Sequence, residues 1–244
     1  MTCRRTITGC SLRSPSPDEF MLPVGQSADN AMTKTNSFDS HVTEYDAWFD
    51  KYRGVYLAEL AAMRSSVPAS GCGIEIGAGT GRFAAPLGIR TGLEPSPLMA
   101  RLARQRGIEV VEGQAEDLPF ADGSFDFAIM VTVVCFLDDI AQAFREVSRI
   151  LRLPGTLVIG FIDRESELGR CYNGEKGHSR FYREATFYSV SELEELLENA
   201  GFSNFTFHQT LLPGEPTDLS VREGHGSGGF VVVQAHKTQE GKQA

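Results

Sequence analysis

Between Phe38 and Met63 the apolar side chains Tyr45, Trp48, Phe49, Tyr52, Val55, Tyr56, Leu57, Leu60 and Met63 recur at three- and four-residue spacing. That period predicts amphipathic helix, with Gly54 dividing it into two and Pro68 and Gly71 ending it. Beyond this point short apolar runs alternate with helical stretches. The runs GIEIGAG, IRTGLEPS, IEVVEGQ, FDFAIMVTVV and GTLVIGFID read as five strands. RFAAPLG, PLMARLARQRG and DIAQAFREVSRILR read as helices between them, and Pro154 and Gly155 turn the chain into the fifth strand. Strands alternating with helices imply a parallel sheet covered on both faces. The last third breaks the alternation. SVSELEELLENAGF predicts a helix starting at Ser191 and closed by Gly201, and FTFHQTLL and GFVVVQAH follow with no helix between them. Two successive strands without a crossover pair antiparallel. The expectation is an α/β, doubly wound sheet of seven strands, mostly parallel, with a C-terminal antiparallel strand.

Other stretches show no such period. Residues 1–36 are rich in Ser, Pro, Asn and Gly and read as a flexible N-terminal extension, with residues 239–244 as a flexible tail. Residues 37–238 form the domain, of which 37–68 supply the N-terminal helices. Residues 163–190 are a long polar and aromatic insertion, and an insertion of that length in a compact domain reads as a lid over an acceptor site.

Composition narrows the function. The chain has 244 residues, 41% hydrophobic and 23% charged, enough for a core without disulfides or metals. No apolar run approaches the roughly 20 residues that cross a bilayer. The opening MTCRRTITGCSL carries basic residues without an apolar segment, so a cytoplasmic location is expected. A formal net charge of −9 argues against nucleic acid, whose binders present a basic surface. Arg101, Arg104 and Arg106 are the one dense basic group and are expected on an exposed helix face. The cysteines form no CxxC pair, so they read as thiols, and no metal site is expected.

The chemistry begins at Glu75-Ile76-Gly77-Ala78-Gly79-Thr80-Gly81, after a strand and before a helix. Glycines permit the turn and let a ligand approach the backbone, and the helix start offers unpaired N–H groups. A dinucleotide fingerprint needs a glycine where Arg82 stands, and a phosphate-binding loop needs Gly-Lys-Ser/Thr, which is missing. An acid before the first glycine suits a ligand with an amino-acid end. Glu94, 17 residues beyond Gly77 at the end of the next strand, is placed to accept from ribose hydroxyls.

With Ala115-Glu116-Asp117-Leu118-Pro119-Phe120 and Ser124-Phe125-Asp126-Phe127 added, the chain resembles the class I S-adenosylmethionine-dependent methyltransferases. Within them it is most similar to the small-molecule branch containing the ubiquinone and menaquinone C-methylases. The resemblance spans roughly residues 38–236 and implies a Rossmann-like fold. It implies S-adenosyl-L-methionine as cofactor, S-adenosyl-L-homocysteine as product, and methyl transfer to a small-molecule acceptor. Glu75, Gly77, Ala78, Gly79 and Gly81 would then surround the methionine end and ribose, and Glu94 the ribose hydroxyls. Pro95 and Met99 would pack on the adenine. Ala115 would offer its N–H to the ring, with Glu116 and Gln114 near the exocyclic amine; many relatives carry Asp at the position of Gln114. Val131 and Thr132 would lie beside the methionine moiety, and Tyr45 and Trp48 over the sulfonium as well as in the core.

Methyl transfer mainly needs alignment and exclusion of water. Asp163 and His178 are the candidates for a base, and Cys135, Tyr172, Arg180, Tyr182 and Tyr188 for the acceptor pocket. Two other classes stay open: a non-catalytic S-adenosylmethionine-binding regulator, and a nicotinamide-dependent oxidoreductase.

Overall fold

A computed structural model describes residues 39–179, 181–214 and 218–238. The readings of residues 1–36 and 239–244 as flexible segments lie outside the described residues.

Two helices come first, α1 (Val42–Lys51) and α2 (Arg53–Ser66), parted at Tyr52 beside the expected break. The alternating region follows as β1 (Gly73–Ile76), α3 (Ala84–Leu87), β2 (Thr91–Leu93), α4 (Pro97–Gln105), β3 (Glu109–Val111), β4 (Phe125–Val131), α5 (Ile140–Ile150) and β5 (Leu151–Ile162). The last segment holds α6 (Glu167–Glu175), α7 (Val190–Asn199), β6 (Phe202–Thr210), β7 (Arg222–Glu223) and β8 (Phe230–Lys237). All strands join one sheet in the order β3-β2-β1-β4-β5-β8-β6-β7. The first five run parallel and the rest antiparallel, β8 lying between β5 and β6 with Ile159 opposite Val233.

Local chemistry accounts for the boundaries. Asp139 caps α5 by accepting from the Gln142 N–H, and Ile140, Ala143, Phe144, Val147 and Ile150 make its buried stripe. The Phe-Val-Val-Val run of β8 is buried throughout, as befits a strand covered on both faces. One core, between the sheet and α5 and α7, holds Ile76, Met130, Phe144, Ile159, Leu193 and Val233. The other holds Phe49, Met63, Phe83, Ile129, Val158 and Phe230 under α1 and α2.

Four details differ from the sequence expectation. There are eight strands, the extra one being the two-residue β7 in the Pro- and Gly-rich link before β8. α7 is capped two residues before the expected Ser191, because Ser189 and Glu192 form a reciprocal capping box. β5 starts at Leu151, which pairs with Phe125, before the Pro154-Gly155 turn. Arg106 faces inward, where it binds Asp46. Among the described residues no helix is long and apolar enough to cross a membrane, and no cluster of three or more His, Cys, Asp or Glu could hold a metal.

Candidate active site

The C-terminal ends of β1, β2 and β4 converge on the glycine-rich turn. Both Gly77 N–H and Ala78 N–H donate to the Leu93 carbonyl, at 2.8 and 2.9 Å, which bends the chain over the end of β2. Gly77 has φ +71°, and a Cβ there would stand 2.4 Å from Val133 Cγ2, so no side chain is accommodated. Gly79, at φ +53°, lies under Tyr45, whose hydroxyl is 3.5 Å from where a Cβ would be.

Two buried carboxyls brace this turn. Glu75 accepts from the Ala84 N–H at 2.8 Å. Glu94 accepts from Gly79 N–H at 2.8 Å through Oε2 and from Ser96 N–H at 2.9 Å through Oε1. Burial pushes Glu94 up to about 7 against those two bonds, and burial holds Glu75 well above the usual carboxylate range. Each bonded carboxylate oxygen keeps a second acceptor site. The pair suits a ligand that brings hydroxyl donors and positive charge to the turn.

The other cofactor candidates sit around this turn with varied surroundings. Pro95, half-buried, precedes the N-cap of α4, and Met99, buried, lies in its first turn, where the Ser96 hydroxyl accepts from the Met99 N–H. Ala115 is buried and Gln114 exposed, in a tight loop bridged to Asp117. Glu116 accepts from the N–H groups of Asp138 and Asp139, which ties it to the approach to α5. Val131 is buried and Thr132, next to it, has φ +53°, a conformation a β-branched residue rarely holds. Trp48 packs edge-on against Phe49 and tilted against Tyr52, within the α1 face.

α1 is latched to the turn. Asp46 accepts from Thr80 Oγ1 (2.6 Å), from Arg82 (2.7 Å) and from Arg106 (2.8 Å). Arg82 also reaches Asp50, at 2.9 Å. The residue that breaks the dinucleotide fingerprint is therefore one that holds α1 across the cleft and Tyr45 above Gly79.

Beyond Tyr45 lies an aromatic chamber. Cys135, Ile162, Tyr172, Ala185 and Phe187 form a buried cluster. Tyr182 stacks on Phe136 with centroids 5.8 Å apart and contacts Tyr172 at 5.4 Å and Phe187 at 5.6 Å. Tyr45 meets Phe181 edge-on at 6.0 Å. A small apolar hollow is lined by Thr132, Cys135, Ile162, Tyr182, Phe187 and Tyr188, among others. Asp163, at the end of β5, is buried and organises the turn into α6: its Oδ1 accepts from the Glu165 N–H and its carbonyl from the Ser166 hydroxyl. His178 closes a short turn at Lys176–His178; its side chain, and the whole of Arg180, lie outside the described residues.

Residues 74–159 match the family described as a methyltransferase domain. A protein of Methanocaldococcus jannaschii is 42% identical over 204 residues, spanning 83% of this chain and 99% of its own length. The crystal structure of a SAM-dependent methyltransferase from Thermotoga maritima, described as a possible histamine N-methyltransferase, is 48% identical. It superposes with a TM-score of 0.80 over 84% of this chain and 100% of its own. The chain belongs to the SAM-dependent methyltransferases. A demethylmenaquinone methyltransferase of a Roseiflexus strain is 36% identical over 100 residues, 37% of this chain and 42% of that one. Family membership implies use of S-adenosylmethionine.

Of the residues that shape this region, the sequence singles out the turn and Glu94 but not Asp46, Phe136, Phe181, Phe187 or Glu59, a buried acid of α2. Asp46 and the aromatics carried no motif. Glu59 did carry a signal, a lone acid on the apolar stripe Val55, Leu60 and Met63.

Proposed function

We propose that this methyltransferase binds S-adenosylmethionine across the Gly77–Gly81 turn and passes its methyl group, by in-line displacement, to a small-molecule acceptor held in the aromatic chamber. The observation that carries the reading is the pairing of Glu94 with Gly79. A carboxylate fixed by that N–H, beside a turn that excludes side chains and under the Tyr45 hydroxyl, fits a ribose and a sulfonium. Glu94 would hold the ribose hydroxyls. Glu75 and the turn would face the methionine end, Val131 and Thr132 would flank it, and Tyr45 would cover the sulfonium. Pro95, Met99, Ala115, Gln114 and Glu116 would surround the adenine. When bound, the sulfonium supplies an electrophilic methyl; the chain's task is to align the acceptor and keep water out.

The chamber walls support a small, largely apolar acceptor, since Tyr182, Tyr188, Phe187 and Cys135 line an apolar hollow beside Thr132 and Ile162. Net charge −9 disfavours nucleic acid as the acceptor. The acceptor named for the Thermotoga relative is an amine, and amines are the first class to screen.

Isothermal titration with S-adenosylmethionine and S-adenosylhomocysteine tests the cofactor site. Micromolar binding is expected, lost in Gly79→Arg, whose side chain would displace Tyr45, and weakened about 100-fold or more in Glu94→Ala, which removes a buried charged acceptor. No binding of either ligand by the folded wild-type protein would refute the reading.

A further inference from the structure

Glu59 is the buried acid that the cofactor site does not use. It is 5% exposed, in the middle of α2, among Val55, Ala58, Leu60, Ala62 and Met63. Among the described residues it has no hydrogen-bond or ion-pair partner; burial is the one influence on its carboxyl, pushed up to about 8. A buried carboxyl without a partner costs free energy, and such a cost persists where function uses the group.

Two contacts along α2 set where Glu59 lies along the sheet. Ser66 receives, on its carbonyl, the Gln234 side chain, and Gln234 pairs with Val158 of β5. Met63, one turn earlier, packs on Gly160, where a Cβ would fall 2.7 Å from its sulfur. Glu59 lies four residues before Met63 on the same helix face, one turn nearer the end of β5, which sets it near the level of Ile162. Ile162 belongs to the wall of Cys135, Tyr172 and Phe187. The electrostatics agree with this placement. After burial, Glu59's charge is the largest influence raising the Tyr172 phenol, and it also raises Tyr45 and Tyr182. Tyr45 lies over Gly79, so the carboxyl stands where the cofactor turn meets the chamber.

We propose that Glu59 is the acceptor-recognising residue of this methyltransferase, its carboxylate receiving a basic nitrogen, so that the substrates are small amines. The proposal rests on the reading of the chamber as the acceptor site. An ammonium held there would lie among the aromatic rings of Tyr45, Tyr172 and Tyr182 as well as beside an anion, surroundings that favour a cation over an alcohol. The reaction needs the nitrogen lone pair. Glu59 takes one proton from the ammonium. The freed pair forms the C–N bond as the C–S bond breaks, and the C–S electrons stay on sulfur. The product leaves as an N-methylammonium, and the proton on Glu59 passes to solvent.

The test titrates phenethylamine and butylamine, with phenethyl alcohol as the uncharged comparison, into the protein saturated with S-adenosylhomocysteine. Running it at pH 7 in two buffers of different ionisation enthalpy counts protons. Because Glu59 is protonated in the free protein and shares one proton with the bound ammonium, binding should release close to one proton per amine. Phenethyl alcohol should bind weakly and release none. Glu59→Gln should retain S-adenosylhomocysteine binding, lose the proton release, and weaken amine binding about 30-fold or more, the usual cost of removing one partner of a buried charge pair. Glu59→Asp should restore the proton release at lower affinity. Amine binding that is absent in the wild type, equal to that of the alcohol, unchanged in Glu59→Gln, or free of proton release would overturn the proposal. Failure of S-adenosylhomocysteine to bind would instead count against the cofactor reading, and the amine titration on the protein alone would still judge Glu59.

Discussion

Glu59 and Glu94 are both carboxyls with about 5% of their surface exposed, yet their neighbours give them opposite properties. Two backbone N–H groups reach Glu94 and hold it near 7, whereas nothing offsets the burial of Glu59. Because the folded chain keeps the Glu59 proton up to about pH 8 while the unfolded chain loses it near 4.5, stability should fall as pH rises through that interval and level off above it. Urea unfolding at pH 5 and pH 8 should show Glu59→Gln gaining on the wild type by several kcal/mol at the higher pH, on the order of 3–5 by linkage. An equal difference at both pH values would mean that Glu59 is ionised in the folded protein. The two residues also differ in legibility. Glu94 could be read from the chain because it sits a fixed distance after the glycine turn it serves. Glu59 serves a chamber built from Tyr172 and Tyr182, more than a hundred residues away.

At the scale of elements, α1 is the piece whose attachment the sequence concealed. Its aromatic period predicts a helix, and the period says nothing of the polar side, where Asp46 gathers Thr80, Arg82 and Arg106. Those three partners hold the Asp46 carboxyl well below its ordinary range against the cost of burial, so the latch persists until strongly acid pH. Asp46→Asn keeps the shape and removes the charge. It should cost about 1.5–3 kcal/mol, as for hydrogen bonds to a charged group. Amide exchange across residues 42–51 should quicken by about 10-fold or more as this segment opens locally, with cofactor affinity falling in parallel. Unchanged exchange in α1 would show that the helix is held by its aromatic face alone. Arg106 shows why the latch escaped notice: in the sequence it belongs to a basic surface cluster, and only the fold reveals its acidic partner across the cleft. The helix α6 inside the 163–190 segment was hidden for another reason, since few apolar positions mark its register.

The whole molecule is one sheet with a core on each face, and the sequence period was sufficient to reach that architecture because each strand and helix repeats its own pattern. The two-residue β7 is too short to carry any period. Phe144 is fully buried on the α5 face, while Trp48, the lone tryptophan, lies on the α1 face. Phe144→Ala should destabilise by about 3–5 kcal/mol through the cavity it leaves. Its transition should coincide by tryptophan fluorescence and by circular dichroism, since the shared sheet makes the two cores one cooperative unit. Separate transitions would mean that the faces unfold independently.

The position of β8 has a consequence for how the molecule is made. It leaves the ribosome after the other seven described strands, yet its place is inside the sheet, between β5 and β6. Until residues 230–237 emerge, the edge of β5 from Thr156 to Ile162 and the facing edge of β6 have no partner. A nascent chain thus carries an apolar, unpaired border throughout synthesis, the kind of surface that chaperones shield and that otherwise nucleates aggregates. The same insertion brings Gly229 to the end of β5, where its carbonyl accepts from the Asp163 N–H at 3.3 Å. The turn that leaves β5 at Asp163 is therefore braced only after residues 229–237 have emerged.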